Sequence, residues 1–271
     1  MLSCFHSVGL PGRSLLEAID MVAGAGYGAI ELNAETLPWV PAHITPAADG
    51  RTRHAVLSAC NARALAIPAV GAHIPMVSAD AAERKAAIDY VNGCTDLAVD
   101  VGAPVVHILS GPLAEGADRE ESWGWFRSAV EATTAYASDR KITLGIEAIV
   151  GHLFKGTDDY HRLRKELPEV PFKVNFDPSH LQVQGENPRR VVDELGDLIV
   201  HVHLKDGSGR FPHFKFPPLG KGEIDFPNLA EGLRKAGYAG PISVEYEAQV
   251  FGFHESEDAI LREGKAFCDR F

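Results

Sequence analysis

The chain has little cysteine, no long apolar run and a deficit of positive charge, and each shortage removes a class of function. Its four cysteines, Cys4, Cys60, Cys94 and Cys268, are scattered, with no CxxC pair. That excludes a disulfide framework and a cysteine zinc or redox motif, and it points to a reduced, cytoplasmic setting. No apolar stretch approaches the roughly 18 residues that cross a bilayer. The opening segment MLSCFHSVGLPGRS lacks a basic region followed by an apolar one, so neither membrane insertion nor export is expected. Lys and Arg number 26 against 37 Asp and Glu, a net charge of −11 with His neutral. With no cluster of basic residues, a nucleic-acid partner would be repelled. There is no GxGxxG after the first strand-like run, no short-period repeat and no Pro/Ser linker.

What the chain does have is a regular alternation of short β-like runs and longer amphipathic segments. Strands are expected at Leu2–Ser7, Ala29–Asn33, Leu65–His73, Val105–Ser110, Thr143–Ala148, Phe172–Asp177, Ile199–Leu204 and Ile242–Tyr246. Helices are expected at Ser14–Ala25, Ala48–Arg63, Ala81–Val101, Glu120–Ser138, Asp158–Glu166, Pro188–Leu195, Pro227–Ala236 and Glu257–Phe267. Glycines close several helices just before the next strand, as in AGAGYGA at 23–29 and KAGYAGP at 235–241. Eight strand–helix units without a break in composition specify a single (β/α)8 TIM barrel domain over residues 1–271, with any site at the C-terminal ends of the strands.

Alternation within the later strands shows where that site lies. In FKVNFD, Phe172, Val174 and Phe176 oppose Lys173, Asn175 and Asp177; in IVHVHL, Val200, Val202 and Leu204 oppose His201 and His203. In ISVEYE, Ile242, Val244 and Tyr246 oppose Ser243, Glu245 and Glu247. Barrel interiors are normally aliphatic, so three polar inner faces in succession are costly unless they serve chemistry. The strand ends offer His73, His107, Glu147, Asp177, His180, His203 and Glu245. Glu147, Asp177, His203 and Glu245, from four neighbouring strands, form an oxygen-rich ligand set. It suits one divalent cation: Mn²⁺ first, with Mg²⁺, Co²⁺ or Zn²⁺ as alternatives.

Glu147, Asp177-Pro178-Ser179-His180, His203 within HVHLKD and Glu245 within SVEYE stand in the order found in a known family. In this the chain resembles the xylose-isomerase-like barrel superfamily of sugar isomerases and epimerases, most closely the ketose 3-epimerases of the D-tagatose 3-epimerase type. The resemblance implies that Glu147, Asp177, His203 and Glu245 bind the cation, and that Glu147 and Glu245 are also the acid/base pair on opposite faces of a small sugar. It implies that His180 and an arginine after the seventh strand, here Arg210, hold substrate oxygens, and that the protein is a homo-dimer or tetramer. Arg210 sits one residue late for that pattern, which brings Lys205 or Lys221 forward as substitutes.

His73 and His107 are not features of those epimerases and are expected to line the pocket or touch substrate. They resemble the extra histidines of apurinic-site endonucleases, but the Asp-x-His pair of that branch is missing from GSGRFPHFK. The expected activity is therefore isomerisation or epimerisation of a small carbohydrate through an enediolate. A keto-cyclitol dehydratase is the alternative, and a non-catalytic sugar-binding barrel a further one. Blander expectations attach to other residues. Asp177 can serve simply as a helix cap, His201 as a hydrogen-bonded core histidine and Glu247 as a rim group. WGWF at 123–126 is read as packing, Trp39 as packing or a sugar wall beside His6, and Glu31 and Glu35 as either solvated or at the mouth. GSG at 207–209 lies where barrels often bind phosphate.

Overall fold

The computed structural model describes all 271 residues. Eight parallel strands close into a barrel: β1 (Leu2–His6), β2 (Ala29–Asn33), β3 (Ala69–Gly71), β4 (Val105–Ile108), β5 (Thr143–Glu147), β6 (Lys173–Phe176), β7 (Ile199–Leu204) and β10 (Pro241–Val244). Two further short strands, β8 (Ser208–Arg210) and β9 (His213–Lys215), form an antiparallel hairpin outside the barrel. The helices are α1 (Leu15–Gly24), α2 (Gly50–Ala62), α3 (Ala81–Val101), α4 (Arg119–Asp139), α5 (Thr157–Glu166), α6 (Pro178–Val183), α7 (Arg189–Leu195), α8 (Phe226–Lys235) and α9 (Glu257–Cys268). The fold is the (β/α)8 barrel the alternation specifies.

Side-chain caps start most of the helices where polar residues precede amphipathic runs. Ser14 and Glu17 make a reciprocal capping box on α1, while Asp49, Asp80 and Asp118 accept first-turn amides of α2, α3 and α4. The core is an aliphatic layer between strands and helices, with Trp123 of the WGWF cluster buried in it. Its indole stacks on Phe154 at 6.0 Å and donates to Glu166 Oε2 at 2.8 Å, tying α4 to α5 as packing requires.

Three features depart from the sequence reading. The third strand is only three residues long, because Pro68 supplies no amide to a ladder; a single bridge from Ala29 to Ala66 replaces the earlier pairing. The segment after His203 contains the β8–β9 hairpin, and a short α6 starts at Pro178 behind the Asp177 cap, ahead of the helix expected at Pro188–Leu195. Cys4, Cys60, Cys94 and Cys268 are all buried, unpaired thiols. No helix is long and apolar enough to cross a membrane.

Candidate active site

The closed barrel orders its strands β5, β6, β7, β10, so the residues at their C-terminal ends are lateral neighbours. Glu147 ends β5, Asp177 follows β6, His203 lies near the end of β7 and Glu245 follows β10. One ligand atom from each lies within 4.8 Å of the others, and all four residues are buried. His203 Nδ1 is 3.3 Å from Glu147 Oε2 and 3.3 Å from Glu245 Oε2. Asp177 meets both of its expectations with different oxygens. Oδ1 caps α6 by accepting from Ser179 N at 2.7 Å, and Oδ2 turns towards the cluster.

Two buried atoms here, Glu147 Oε1 and His203 Nδ1, lack a hydrogen bond of acceptable geometry, and Asp177 Oδ2 meets only the Lys205 ammonium at 2.9 Å. Buried polar atoms are normally satisfied, and orphans grouped at one point mark the place of a ligand. Three carboxylates and one imidazole are a donor set that fits a divalent cation. The residues present can therefore hold a metal.

Beneath this group lies a second layer that the strand-end argument did not anticipate. Glu31 of β2, fully buried, accepts hydrogen bonds from three imidazoles: His107 Nε2 at 2.6 Å, His201 Nε2 at 2.8 Å and His203 Nε2 at 3.0 Å. His6 Nε2 lies 3.7 Å away, and its Nδ1 is 3.4 Å from Glu245 Oε1. A carboxylate can only accept, so each of the three bonded rings presents Nε2–H to it. His203 then turns its other nitrogen to Glu147 and Glu245, the arrangement by which a carboxylate orients a metal-binding histidine. Gly71 on β3 makes room for this layer: a Cβ there would stand 3.0 Å from the His107 ring. Burial opposes ionisation of Glu31, but His6, His203, His201 and His107 outweigh it and hold its carboxyl well below the usual range.

Above the cluster opens a cavity of about 330 Å³ lined by Glu35, His73, Glu147, His180, Lys205, Glu245 and Glu247 on its polar side. Lys205 is buried and placed between Glu245 Oε2 at 2.5 Å, Asp177 Oδ2 at 2.9 Å and Glu247 Oε2 at 3.0 Å. His180 Nε2 is 3.3 Å from Lys205 Nζ and 3.6 Å from Glu147 Oε1. A larger shallow groove between α1 and α9 lies outside the barrel, away from this chemistry.

Local environments push the two glutamates apart. Burial, reinforced by Glu245 and Asp177 and opposed by His203, raises the Glu147 carboxyl to about 7. Burial also works against Glu245, but Lys205, His203 and His6 overcome it and hold that carboxyl well below its ordinary value. His203 is pushed well up despite its burial, because Glu245, Glu31 and Glu147 surround it. A bound cation would supply the same neutralisation and release that proton.

The remaining residues sort by depth. His73 lines the cavity, its Nε2 2.6 Å from His107 Nδ1 and 3.4 Å from Glu147 Oε2. His107 is fully buried in the layer below and does not line the cavity, so it reaches the site only through His73 and Glu31. Arg210 stands outside: it is exposed on the β8–β9 hairpin and paired with Glu223 at 3.1 Å. The hairpin's antiparallel register turns it away from the mouth, which leaves Lys205 as the cation within reach. His201 is the buried, hydrogen-bonded histidine expected, and Trp39 and Glu247 line the mouth. Glu31 and Glu35 are not solvated; both are buried. Asn175, which donates to Glu147 Oε2 at 2.5 Å, and His152 were missed. Asn175 could have been found, since it shares the inward face of β6 with Asp177.

A family model described as xylose isomerase-like TIM barrel matches residues 19–271. The chain belongs to that family. An L-ribulose-5-phosphate 3-epimerase from Salmonella paratyphi A is 24% identical over 93% of this chain and 89% of its own length. Among solved structures, a D-psicose 3-epimerase with D-tagatose from Clostridium cellulolyticum H10 superposes with a TM-score of 0.80 at 16% identity, covering 100% of this chain and 98% of that one. The zinc-bound IOLI protein gives a TM-score of 0.81 at 16% identity, over 99% and 97%. The likeness to both solved structures is one of fold.

Proposed function

We propose that the protein is an isomerase-class enzyme, a divalent-metal-dependent sugar epimerase or keto–aldo isomerase. The observation that carries this reading is the convergence of Glu147, Asp177, His203 and Glu245 beneath a sugar-sized cavity, with unsatisfied atoms on two of the four. Membership of the family and the names of the epimerase relatives support it. These four residues would hold one cation, Mn²⁺ by preference, whose contribution when bound is Lewis-acid polarisation of a carbonyl beside the C–H to be broken.

The chain's own groups then divide the work. Glu245, held ionised by Lys205 and His203, is suited to accept a proton from carbon. Glu147 faces the same cavity from the end of β5, so the pair can exchange a proton on opposite faces of an enediolate. His180 faces the same space and would hold a substrate oxygen, while Lys205, directed at Asp177, Glu245 and Glu247, would keep those carboxylates ionised. Asn175 fixes the Glu147 carboxylate in place. Expelling a β-hydroxyl from the same enediolate would instead make the enzyme a dehydratase, and the products distinguish the two.

The test is solvent exchange. Protein loaded with Mn²⁺ is incubated with ketoses in D₂O and followed by NMR. Deuterium incorporation at a carbon next to the carbonyl, without loss of water, is expected, and chelation should abolish it. Glu147→Gln and Glu245→Gln should each lower turnover by about 10²–10⁴-fold while the fold persists. Turnover of either variant near the wild-type rate removes these glutamates from the mechanism.

A further inference from the structure

On that reading of the cavity, we infer that its substrate is an unphosphorylated, uncharged keto sugar of monosaccharide size, whose carbon-rich face lies against an aromatic wall. Barrels that bind phosphate place it at the loops after their last two strands, where clustered backbone N–H groups meet the anion. This chain builds such a cluster after β7 and fills it with its own carboxylate. Gly207 N, Gly220 N and Gly222 N each donate to Asp206 at 2.9 Å, and Ile224 N does so at 3.3 Å. The fit is tight: a Cβ on Gly222 would stand 2.2 Å from Asp206 Oδ1. Gly209 N, in the GSG turn, is likewise taken, by Glu223 Oε1 at 3.1 Å. After β10, the matching position carries Glu245 and Glu247, two more acids.

Nor does the cavity offer a free cation. Its lining contains one lysine and no arginine, and that lysine, Lys205, already faces Asp177, Glu245 and Glu247. Arg210 is turned outward to Glu223. A phosphate brought to the mouth would meet Glu247 and no unpaired cation, and like-charge contact is an effective way of rejecting a wrong ligand.

The rest of the lining is largely hydrocarbon. Phe216 lies 5.2 Å from Phe214 and 5.3 Å from Phe251, with Phe214 and Phe251 5.8 Å apart, and Leu37 and Trp39 complete the surface. Aromatic faces of this kind suit the C–H face of a sugar, while the acids and His180, whose ring meets Phe216 edge-on at 5.0 Å, suit its hydroxyl edge. The volume, about 330 Å³, is at the small end of ligand sites, which run from about 300 to 1,000 Å³.

The deciding experiment pairs each free ketopentose and ketohexose with its terminal phosphate and measures exchange from D₂O on the Mn²⁺-loaded protein. The free member of an active pair should show kcat/KM at least roughly 100-fold above its phosphate, and inorganic phosphate should not compete. Phe251→Ala should raise KM for the free sugar about tenfold with kcat little changed, as loss of contact that is the same in ground and transition states requires. Equal or better turnover of the phosphate, or competition by inorganic phosphate, overturns the inference and leaves the epimerase reading standing. An unchanged KM in Phe251→Ala overturns the aromatic-wall part alone. No metal-dependent exchange on any pair overturns the epimerase reading itself, and this inference with it.

Discussion

Replacing Glu31 by glutamine tests the architecture beneath the site without touching the residues that face substrate. The native carboxylate accepts three imidazole N–H groups, two on Oε1 from His107 and His203 and one on Oε2 from His201. An amide has one acceptor oxygen. The arrangement that preserves most bonds keeps that oxygen towards His107 and His203 and turns the NH₂ to His201. His201 can answer by moving its own proton to Nδ1, which has no partner to lose. The bonds survive in number but lose their charge. Hydrogen bonds to charged groups are worth about 1.5–3 kcal/mol against about 0.5–1.5 for neutral ones, so three of them give a loss on the order of 2–4 kcal/mol. His203 also becomes a weaker base, and losing the partner that orients a ligand typically lowers metal affinity about 10–100-fold. The lower end applies here, because the oxygen facing His203 is retained.

Two assays separate these effects. Urea unfolding of the metal-free protein gives the stability term, and calorimetric titration with Mn²⁺ gives the affinity. Nitrogen-15 NMR of labelled histidine should show the His201 proton moving while His203 keeps its Nε2–H form. Glu31→Leu, which removes every acceptor and strands three buried N–H groups, should be markedly less stable than Glu31→Gln. Should Glu31→Gln match the wild type in both unfolding free energy and metal affinity, the claim that Glu31 orients His203 is wrong.

Other measurements probe neighbouring features. Burial is the main reason the Glu35 carboxyl is raised to about 8 from an ordinary 4.5. The folded protein therefore keeps a proton that the unfolded chain surrenders between those pH values, so this group's contribution makes stability fall as pH rises through the window. Each pH unit is worth at most about 1.4 kcal/mol, which caps the decline at roughly 5 kcal/mol; Glu35→Gln should flatten it in thermal melts from pH 5 to 9. Asp206→Ala leaves four backbone amides without their acceptor, at about 1–3 kcal/mol for each one left buried and unpaired. The segment from 207 to 225 should then become the first site of limited proteolysis, and an unchanged cleavage pattern would contradict the role given to Asp206.

The parts of the site legible in the sequence were those written by strand alternation. Glu147, Asp177, His203 and Glu245 each sit on a polar inner face or just past it, and closure of the barrel makes them neighbours. Glu31 was not legible in the same way. Its strand, AIELN, is buried along its whole length, and its partners lie as far as 172 positions away, so only the closed lumen brings them together. Arg210 was placed by loop position, but the direction of a side chain on a loop is set by the hairpin it forms, and this one turns Arg210 towards Glu223. The third strand is shorter than its apolar run because residues on both sides of Pro68 look alike to a hydrophobic pattern, which does not register the missing amide.

The stack of imidazoles around Glu31 has a practical consequence for anyone redesigning this barrel. Each inner position is locked to its neighbours by proton direction as well as by shape, so single changes there would propagate from ring to ring. The hairpin at 208–215 and the aromatic groups beside it carry no such constraint. Libraries aimed at new specificity belong at that rim, with the lumen left untouched.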